Sequence, residues 1–336
     1  MIEMSSLLTK PLDKGILKLK NRLVMPPMAT ATAGLDGRVS QELLKYYDEK
    51  SQGGFLSLVI VEHSYVSMQG KASSNQLSIA EDDVINGLKD LSSVIHANGS
   101  EAVLELNHAG SGTKKEITGL DPIAPSAIRN PSKASSVVPL EASRDEIKGI
   151  IIDFVQAAIR AKAAGFDGVE IHSCHGYLLN QFLSPLTNKR TDSYGGDIYG
   201  RIRIHLDIVS KIRHAVGKNF WILLRLGATD YQEGGTTLDD SIRASQELEK
   251  AGINILDISG GMCRYIIPGV DIKECFSQIS KSVKNAVSIP VMVTGGITKA
   301  TEAETLLKDK RADLIGVGRA ILKDSSWAQH AIENLE

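Results

Sequence analysis

Short, near-continuous apolar runs alternate along the chain with longer stretches whose apolar positions recur every three or four residues. The runs of strand length are Arg22–Pro26, Leu56–Glu62, Ala102–Leu106, Gly168–His172, Trp221–Leu226, Ile255–Ser259, Pro290–Thr294 and Leu314–Val317. Continuous rather than alternating hydrophobicity is the pattern of parallel strands covered on both faces. The amphipathic stretches between them predict helices over Ser40–Gln52, Asp83–Ala97, Arg144–Ala164, Ile202–Val216, Asp239–Ala251 and Lys299–Lys308. Ser143 with Glu146 three positions on has the form of a capping box. Glycine closes two of these stretches, at Ala164-Gly165 and Ala251-Gly252.

Strand followed by helix, repeated about eight times, implies a parallel sheet. The count fits a closed barrel, so the expected fold is α/β, a single (β/α)8 TIM barrel. An open, doubly wound sheet competes with it, but that architecture normally has a glycine-rich turn after its first strand. Here the corresponding turn is Pro26-Pro27-Met28-Ala29. There is no linker and no repeat beyond the alternation itself, so residues 1–336 are expected to form one domain. Two connections are long: Ala109–Ala142, polar and dotted with proline, and Tyr177–Tyr199. Both follow the C-terminal end of a predicted strand, the face on which such barrels place their active sites.

Composition narrows the classes. With 42% hydrophobic and 23% charged residues among 336, the chain can bury a large core. A formal net charge of -2 gives no global electrostatic case for nucleic acid or an anionic membrane. No apolar run is long enough to span a bilayer, and Met1–Lys20 lacks the apolar stretch of a secretion signal. Cys174, Cys263 and Cys275 are scattered, with no CxxC pair. They cannot form a four-thiolate cluster and suggest a reducing, cytoplasmic setting.

The densest chemistry lies in Gly168-Val-Glu-Ile-His172-Ser-Cys-His175-Gly-Tyr177. Two imidazoles and a phenol near a strand end can converge on one small polar group, with the phenol able to deliver a proton. Read separately, one histidine would cap the strand and Tyr177 would pack at the rim. A metal site is expected to be absent, since no carboxylate or cysteine completes a set and Cys174 is expected to point away from both histidines. After the seventh and eighth predicted strands come Val293-Thr-Gly295-Gly296 and Gly316-Val-Gly318-Arg319. Glycine N–H groups with an arginine can cradle a phosphate, although tight turns need glycine in any case. Arg225 sits near the end of the fifth strand, where a cation is costly without an anionic partner. Its partner is either a strand carboxylate, Glu105, Glu170 or Asp257, or the anionic ring of a cofactor.

Several of these segments together resemble a known family, the Old Yellow Enzyme group of NADH:flavin oxidoreductases. The resemblance is carried by Lys20-Asn21-Arg22-Leu-Val-Met-Pro-Pro-Met28, Asn107-His108-Ala109-Gly110, Ala164-Gly-Phe-Asp-Gly-Val-Glu-Ile-His172 with His175-Gly-Tyr177, and Gln181 through Gly196. It runs from Leu17 to about Asp324. It implies a (β/α)8 barrel with non-covalent FMN at its C-terminal face and NADH or NADPH as reductant. Met25, Pro26, Pro27, Met28, Ala29 and His63 would then border the flavin, with Glu105 and Arg225 at its pyrimidine side. Gly295, Gly296, Gly318 and Arg319 would hold its phosphate. His172 and His175 would bind the carbonyl oxygen of an unsaturated substrate, and Tyr177 would donate the proton after hydride transfer from flavin N5.

Departures from the family pattern bear on this. Ala29 stands where many relatives have cysteine or threonine, and Glu105 where glutamine is usual. A glutamate there is similar to the amine-dehydrogenating branch. Ile198-Tyr199-Gly200-Arg201 replaces an acidic-Asn-Arg pattern, with no functional consequence evident. Some relatives continue into an iron–sulfur site and further domains. This chain ends at Glu336 without a cysteine cluster, so if complete it is expected to take electrons directly at FMN. Arg264 and Tyr265 are candidate substrate contacts after the sixth strand, within the Met262–Val270 loop. The leading expectation is an ene-reductase acting on a small-molecule substrate. An FMN enzyme oxidising an amine, or a flavin electron-transfer protein, are the alternatives, and a homo-oligomer is left open.

Overall fold

The computed structural model describes residues 6–133, 136–267 and 269–335. The one-domain expectation also covers residues 1–5 and 336, and the loops Ala109–Ala142 and Met262–Val270 include residues 134–135 and 268. Those positions lie outside the described residues.

The eight apolar runs become eight strands: β1 Leu23–Met25, β2 Leu58–Tyr65, β3 Glu101–Asn107, β4 Gly168–Ser173, β5 Trp221–Gly227, β6 Ile255–Ser259, β7 Val291–Thr294 and β8 Leu314–Gly316. Each pairs in parallel with the next, and Ile315↔Leu23 joins β8 back to β1, so the barrel closes. After each strand the chain returns through a helix: α1 Gln41–Ser51, α2 Ile85–Ala97, α3 Arg144–Ala163, α4 Arg203–Val216, α5 Leu238–Ala251, α6 Ile272–Lys284, α7 Ala300–Lys308 and α8 Arg319–Lys323. The capping box of α3 forms, with Ser143 accepting from the Glu146 N–H and Glu146 accepting from that of Ser143. Gly252 ends α5 in the left-handed region, φ 106°. Helices α6 and α8 were not singled out by the apolar pattern.

Two apolar clusters follow from the two-residue period of a strand. The larger lies between barrel and helices. The smaller fills the barrel interior with Val24, Leu58, Ile60, Val103, Trp221, Leu223, Ile255, Met292 and Leu314. Leu12, Leu17 and Leu19 join it from an antiparallel hairpin, Leu12–Lys14 with Leu17–Leu19, which floors the barrel. Trp221 fits because its neighbour is Gly168: a Cβ there would lie 2.6 Å from the Trp221 Cβ.

Two residues further along four of these strands, the same inward face turns polar. Val103 gives way to Glu105, Leu223 to Arg225, Ile255 to Asp257 and Met292 to Thr294. On β2 the register shifts between Val61 and Ser64, a bulge that re-aims the chain. His63 then faces the mouth, while Glu62 turns to accept the Thr30 N–H at 2.7 Å. Burial pushes the Glu62 carboxyl up to about 7 from 4.5. Because the folded value is the higher one, this stabilisation is complete below about pH 4.5 and lost as pH rises through about 7. It amounts to about 3 kcal/mol. Glu62→Gln is expected to flatten the decline in Tm between about pH 5 and about pH 8. An identical pH profile in the variant would remove Glu62 as its cause.

Candidate active site

At the C-terminal ends of the strands the barrel opens into a cavity of about 400 Å³, in the range of small-molecule sites. Every strand end contributes to its wall. Pro27, Met28 and Ala29 follow β1, and His63 and Glu105 come from β2 and β3. His172, His175 and Tyr177 come from β4 and its loop, and Arg225 from β5. Arg264 and Tyr265 follow β6, Gly295 and Gly296 follow β7, and Gly318 and Arg319 follow β8. Met25 and Pro26 are not part of this wall, although Pro26 Cγ lies 3.4 Å from where a Cβ on the wall residue Gly318 would stand. Val24 points into the barrel, so Met25 turns outward into the helix-facing core. Ser259, Thr294, Ile272 and Phe276 line the cavity as well and were not anticipated. The last two belong to α6.

Below the mouth lies a buried charged tier. Cα register places Glu105 beside Glu170, and His172 beside Arg225, which is beside Asp257. Arg225 Nε is 2.9 Å from Asp257 Oδ2, and its NH1 is 3.8 Å from Glu105 Oε1. The first contact is close but poorly aligned for a hydrogen bond, so it is an ion pair. Burial opposes the charge of Arg225, but the Asp257 and Glu105 carboxylates outweigh it and raise its pKa. Burial lifts Asp257 to about 6 against the pull of Arg225. Glu170 is pushed well above the usual carboxylate range, by burial first and then by Asp257 and Glu105, which keeps it neutral. Glu105 goes the other way: burial would raise it, but His172 and Arg225 hold it below its ordinary value. An ionised carboxylate only accepts, so the 2.6 Å contact from His172 is an Nδ1–H donation.

Four rings crowd over this tier. His172 lies 5.1 Å from Tyr177 and 5.5 Å from His175, and His63 lies 5.6 Å from Tyr177. Gln76 Oε1 accepts the Ala72 N–H at 2.6 Å, so the Gln76 amide donates to His63 Nδ1 at 2.8 Å. His63 is therefore the tautomer with its N–H on Nε2, and burial lowers it to about 4. His175 is likewise held neutral, by burial and then by the charge of Arg225, and its Nε2 is 2.8 Å from Ser259 Oγ. Burial raises the Tyr177 hydroxyl, which keeps its proton at neutral pH. His175 and Arg264 sit at φ 57° and 59°, a region that side-chain-bearing residues rarely adopt. Cys174 overturns its expectation. Its Sγ is 3.6 Å from His172 Nε2, because the chain leaves strand geometry after Ser173 and turns sharply at His175.

On the opposite wall the backbone is built for close approach. Gly295 has φ 141° and Gly296 φ 70°. A Cβ at either would fall within 2.9 Å of Phe276 Cδ2 or 3.0 Å of the Lys273 N, so only glycine fits. Arg319 is exposed at this edge. A cation beside bare backbone at one wall, and a buried arginine with an ionised glutamate at the base, suit FMN, which has a phosphate and a polar, planar ring. None of the described helices is long and apolar enough to cross a membrane.

Residues 7–336 match the family described as NADH:flavin oxidoreductase / NADH oxidase. The NADH oxidase of Thermoanaerobacter brockii is 39% identical over 95% of this chain and 50% of its own length. A metal reductase of Desulforamulus reducens is 36% identical over 97% and 49%. The chain thus spans about half the length of these curated relatives. Among solved structures, 2-naphthoyl-CoA reductase with 2-naphthoyl-CoA superposes with a TM-score of 0.92 at 27% identity, over 98% of this chain and 52% of that one. Morphinone reductase with tetrahydroNAD gives 0.85 at 26%, over 98% and 91%. The Old Yellow Enzyme homologue of Zymomonas mobilis gives 0.86 at 26%, over 97% and 92%.

Proposed function

Because this chain belongs to the NADH:flavin oxidoreductase / NADH oxidase family, and within it to the Old Yellow Enzyme type, we propose that its barrel mouth reduces the C=C bond of α,β-unsaturated carbonyl compounds. FMN is its cofactor and a reduced nicotinamide its reductant. When bound, FMN supplies the two-electron chemistry, accepting a hydride from NADH or NADPH and giving one to the acceptor. The observation that carries the reading is the convergence of His172, His175 and Tyr177 on one wall of the cavity.

His172 is oriented by Glu105, which fixes the Nδ1–H and directs Nε2 at the mouth. When Ser259 donates to His175 Nε2, that ring offers its Nδ1–H. The His175 Nδ1–H, and a His172 Nε2–H when that ring is protonated on both nitrogens, would meet a carbonyl oxygen as negative charge builds on it, which is where preorganised hydrogen bonds lower a barrier most. Tyr177, protonated at neutral pH, delivers its proton to the carbon next to that carbonyl. Arg225 and Glu105, at the base of the cavity, would face the polar edge of the cofactor, and Pro27, Met28 and Ala29 in its wall would border it.

Anaerobic titration with NADH and NADPH, followed by cyclohexenone, tests the reading. Bleaching of the flavin and its return with the enone are the expected results. A flavin bleached by amines and not by nicotinamide would replace the reading with its amine-oxidising rival.

In this reading Gly295, Gly296, Gly318 and Arg319 would hold the phosphate, with Arg319 giving charge-assisted hydrogen bonds. Losing these removes about 1.5–3 kcal/mol, so Arg319→Met is expected to weaken FMN roughly 10- to 100-fold. Riboflavin, which lacks the phosphate, should bind both proteins alike. An equal loss for FMN and riboflavin would exclude Arg319 from phosphate recognition.

A further inference from the structure

We propose that His63 is a fixed, uncharged hydrogen-bond donor of the cavity wall, which presents its Nε2–H to a carbonyl oxygen of the bound flavin or of the substrate, and that Gln76 is the positioning residue that fixes it. The position of the proton follows from the fold. Beyond the bulge in β2, the Tyr65 N–H donates to the Leu77 carbonyl and the Ile79 N–H to that of Tyr65, so the segment after Ser73 runs beside the strand end. Gln76 is buried there against His63, and its amide is oriented twice over. Oε1 accepts the Ala72 N–H at 2.6 Å, and Nε2 donates at 3.0 Å to the His63 carbonyl oxygen, which can only accept. The remaining hydrogen of that NH₂ group meets His63 Nδ1 at 2.8 Å. Asn107 Nδ2 stands 3.3 Å from the same nitrogen. Nδ1 is therefore the bare nitrogen, and the ring proton sits on Nε2.

With Nδ1 engaged on the protein side, Nε2 is the nitrogen left for a ligand in the cavity that His63 lines. The ring stacks on Tyr177 at 5.6 Å, with 30° between the planes, and lies 6.1 Å from His172. It thus borders the wall assigned above to the carbonyl compound. The charged and titratable groups around it are Glu105 on β3, His172 and Tyr177 on and after β4, and Arg225 on β5. Burial outweighs the pull of Glu105 and lowers His63 to about 4, so the donor carries no charge at neutral pH. Gln76 is not part of the cavity wall, so it acts through the ring. The donor role rests on the flavin-dependent carbonyl reduction proposed above, whereas the place of the proton does not.

Nitrogen NMR of the FMN-loaded protein carrying isotope-labelled histidine reads that place directly, with the His63 signals assigned by their loss in His63→Phe. The Nε2–H form is expected at about pH 6 and about pH 8 alike. An Nδ1–H form, or an imidazolium at the lower pH, would overturn the assignment whether or not enones are turned over. His63→Phe keeps a ring against Tyr177 and removes the donor, at a cost of about 2- to 10-fold for one neutral hydrogen bond. Where the acceptor is the substrate, the loss is in the binding of cyclohexenone to the reduced protein. Where it is the flavin, the midpoint potential falls by about 10–30 mV, the same ratio at about 30 mV per tenfold for two electrons. If neither changes, His63 is not a donor.

Gln76→Glu keeps the acceptor for Ala72 but sets a carboxylate against Nδ1, which draws the proton there. At about pH 8 its NMR signals should be those of the Nδ1–H form, and its loss should match that of His63→Phe. On acidification the ring becomes an imidazolium, Nε2 regains its proton and the loss is recovered. A Gln76→Glu protein impaired equally at every pH, with its proton still on Nε2, would make Gln76 merely structural. Gln76→Met, in which both tautomers should appear, serves where the glutamate variant does not fold. An unchanged Nε2–H signal there would remove Gln76 as the residue that fixes the ring.

Discussion

Replacing Tyr177 by phenylalanine is expected to slow enone turnover by about 10²- to 10⁴-fold while leaving the rate of flavin bleaching by NADH or NADPH unchanged. The asymmetry is what identifies a proton donor. Phenylalanine keeps the ring that packs 5.1 Å from His172 and 5.6 Å from His63, and removes only the hydroxyl. The cofactor's surroundings therefore change little, and the half-reaction with nicotinamide requires no proton from this residue. Carbon protonation does. Stopped-flow measurement of each half-reaction separates the two. Equal slowing of both would show that the ring had moved, and no slowing of the enone step would transfer the proton to another group.

Arg225→Met is expected to cost about 3–5 kcal/mol of stability, the range for breaking a buried ion pair from one side. Methionine approximates the volume, so the loss is electrostatic. Asp257 is fully buried and ionises near 6 even with Arg225 beside it. Without the cation it must either lose its charge or keep it unpaired, and both disfavour folding at neutral pH. Adding Asp257→Asn to Arg225→Met removes the stranded charge, so the double variant should be more stable than the sum of the single losses predicts. Denaturant unfolding of the four proteins supplies the cycle. Strict additivity would mean that the 2.9 Å contact contributes no coupling.

Much of this architecture was legible because parallel strands covered on both faces have to be apolar throughout. Where a charge interrupts such a run, at Glu105, Glu170, Arg225 or Asp257, it marks the polar tier directly. The reading failed where strand periodicity stops. Cys174 lies one residue beyond β4, in a turn with φ 57° at His175 and 75° at Gly176, so alternation says nothing about its direction. Met25, placed at the flavin's border by resemblance alone, packs in the helix-facing core and is not part of the cavity wall; a strand of only three apolar residues does not reveal its inward face from pattern. The flooring hairpin is a few residues with a polar tip and has no periodicity to detect.

One of the segments that carry the family resemblance, Gln181 through Gly196, contributes no residue to the cavity wall. Its polar side chains act as braces. Asn188 donates to the Phe182 and Tyr194 carbonyls, and Arg190 to those of Pro125 and Ala142 while pairing with Asp192. Gln181 accepts the Ser111 N–H and donates to the carbonyls of Ala109 and Gly176. These contacts tie the loop after β4 to the loop after β3, and so fix Tyr177 over the tier. A motif can be specific to a family for what it holds still.

The left-handed backbone at His175 and Arg264 sets fold and site against each other. A side-chain-bearing residue in that region costs on the order of 1 kcal/mol relative to glycine, and here the surrounding contacts enforce it at two places on the cavity rim. Selection for heat resistance alone would therefore favour glycine at both positions. It would yield a sturdier barrel with an emptier mouth. In directed evolution of this scaffold, these two codons are the ones to hold fixed while the rest of the chain is allowed to harden.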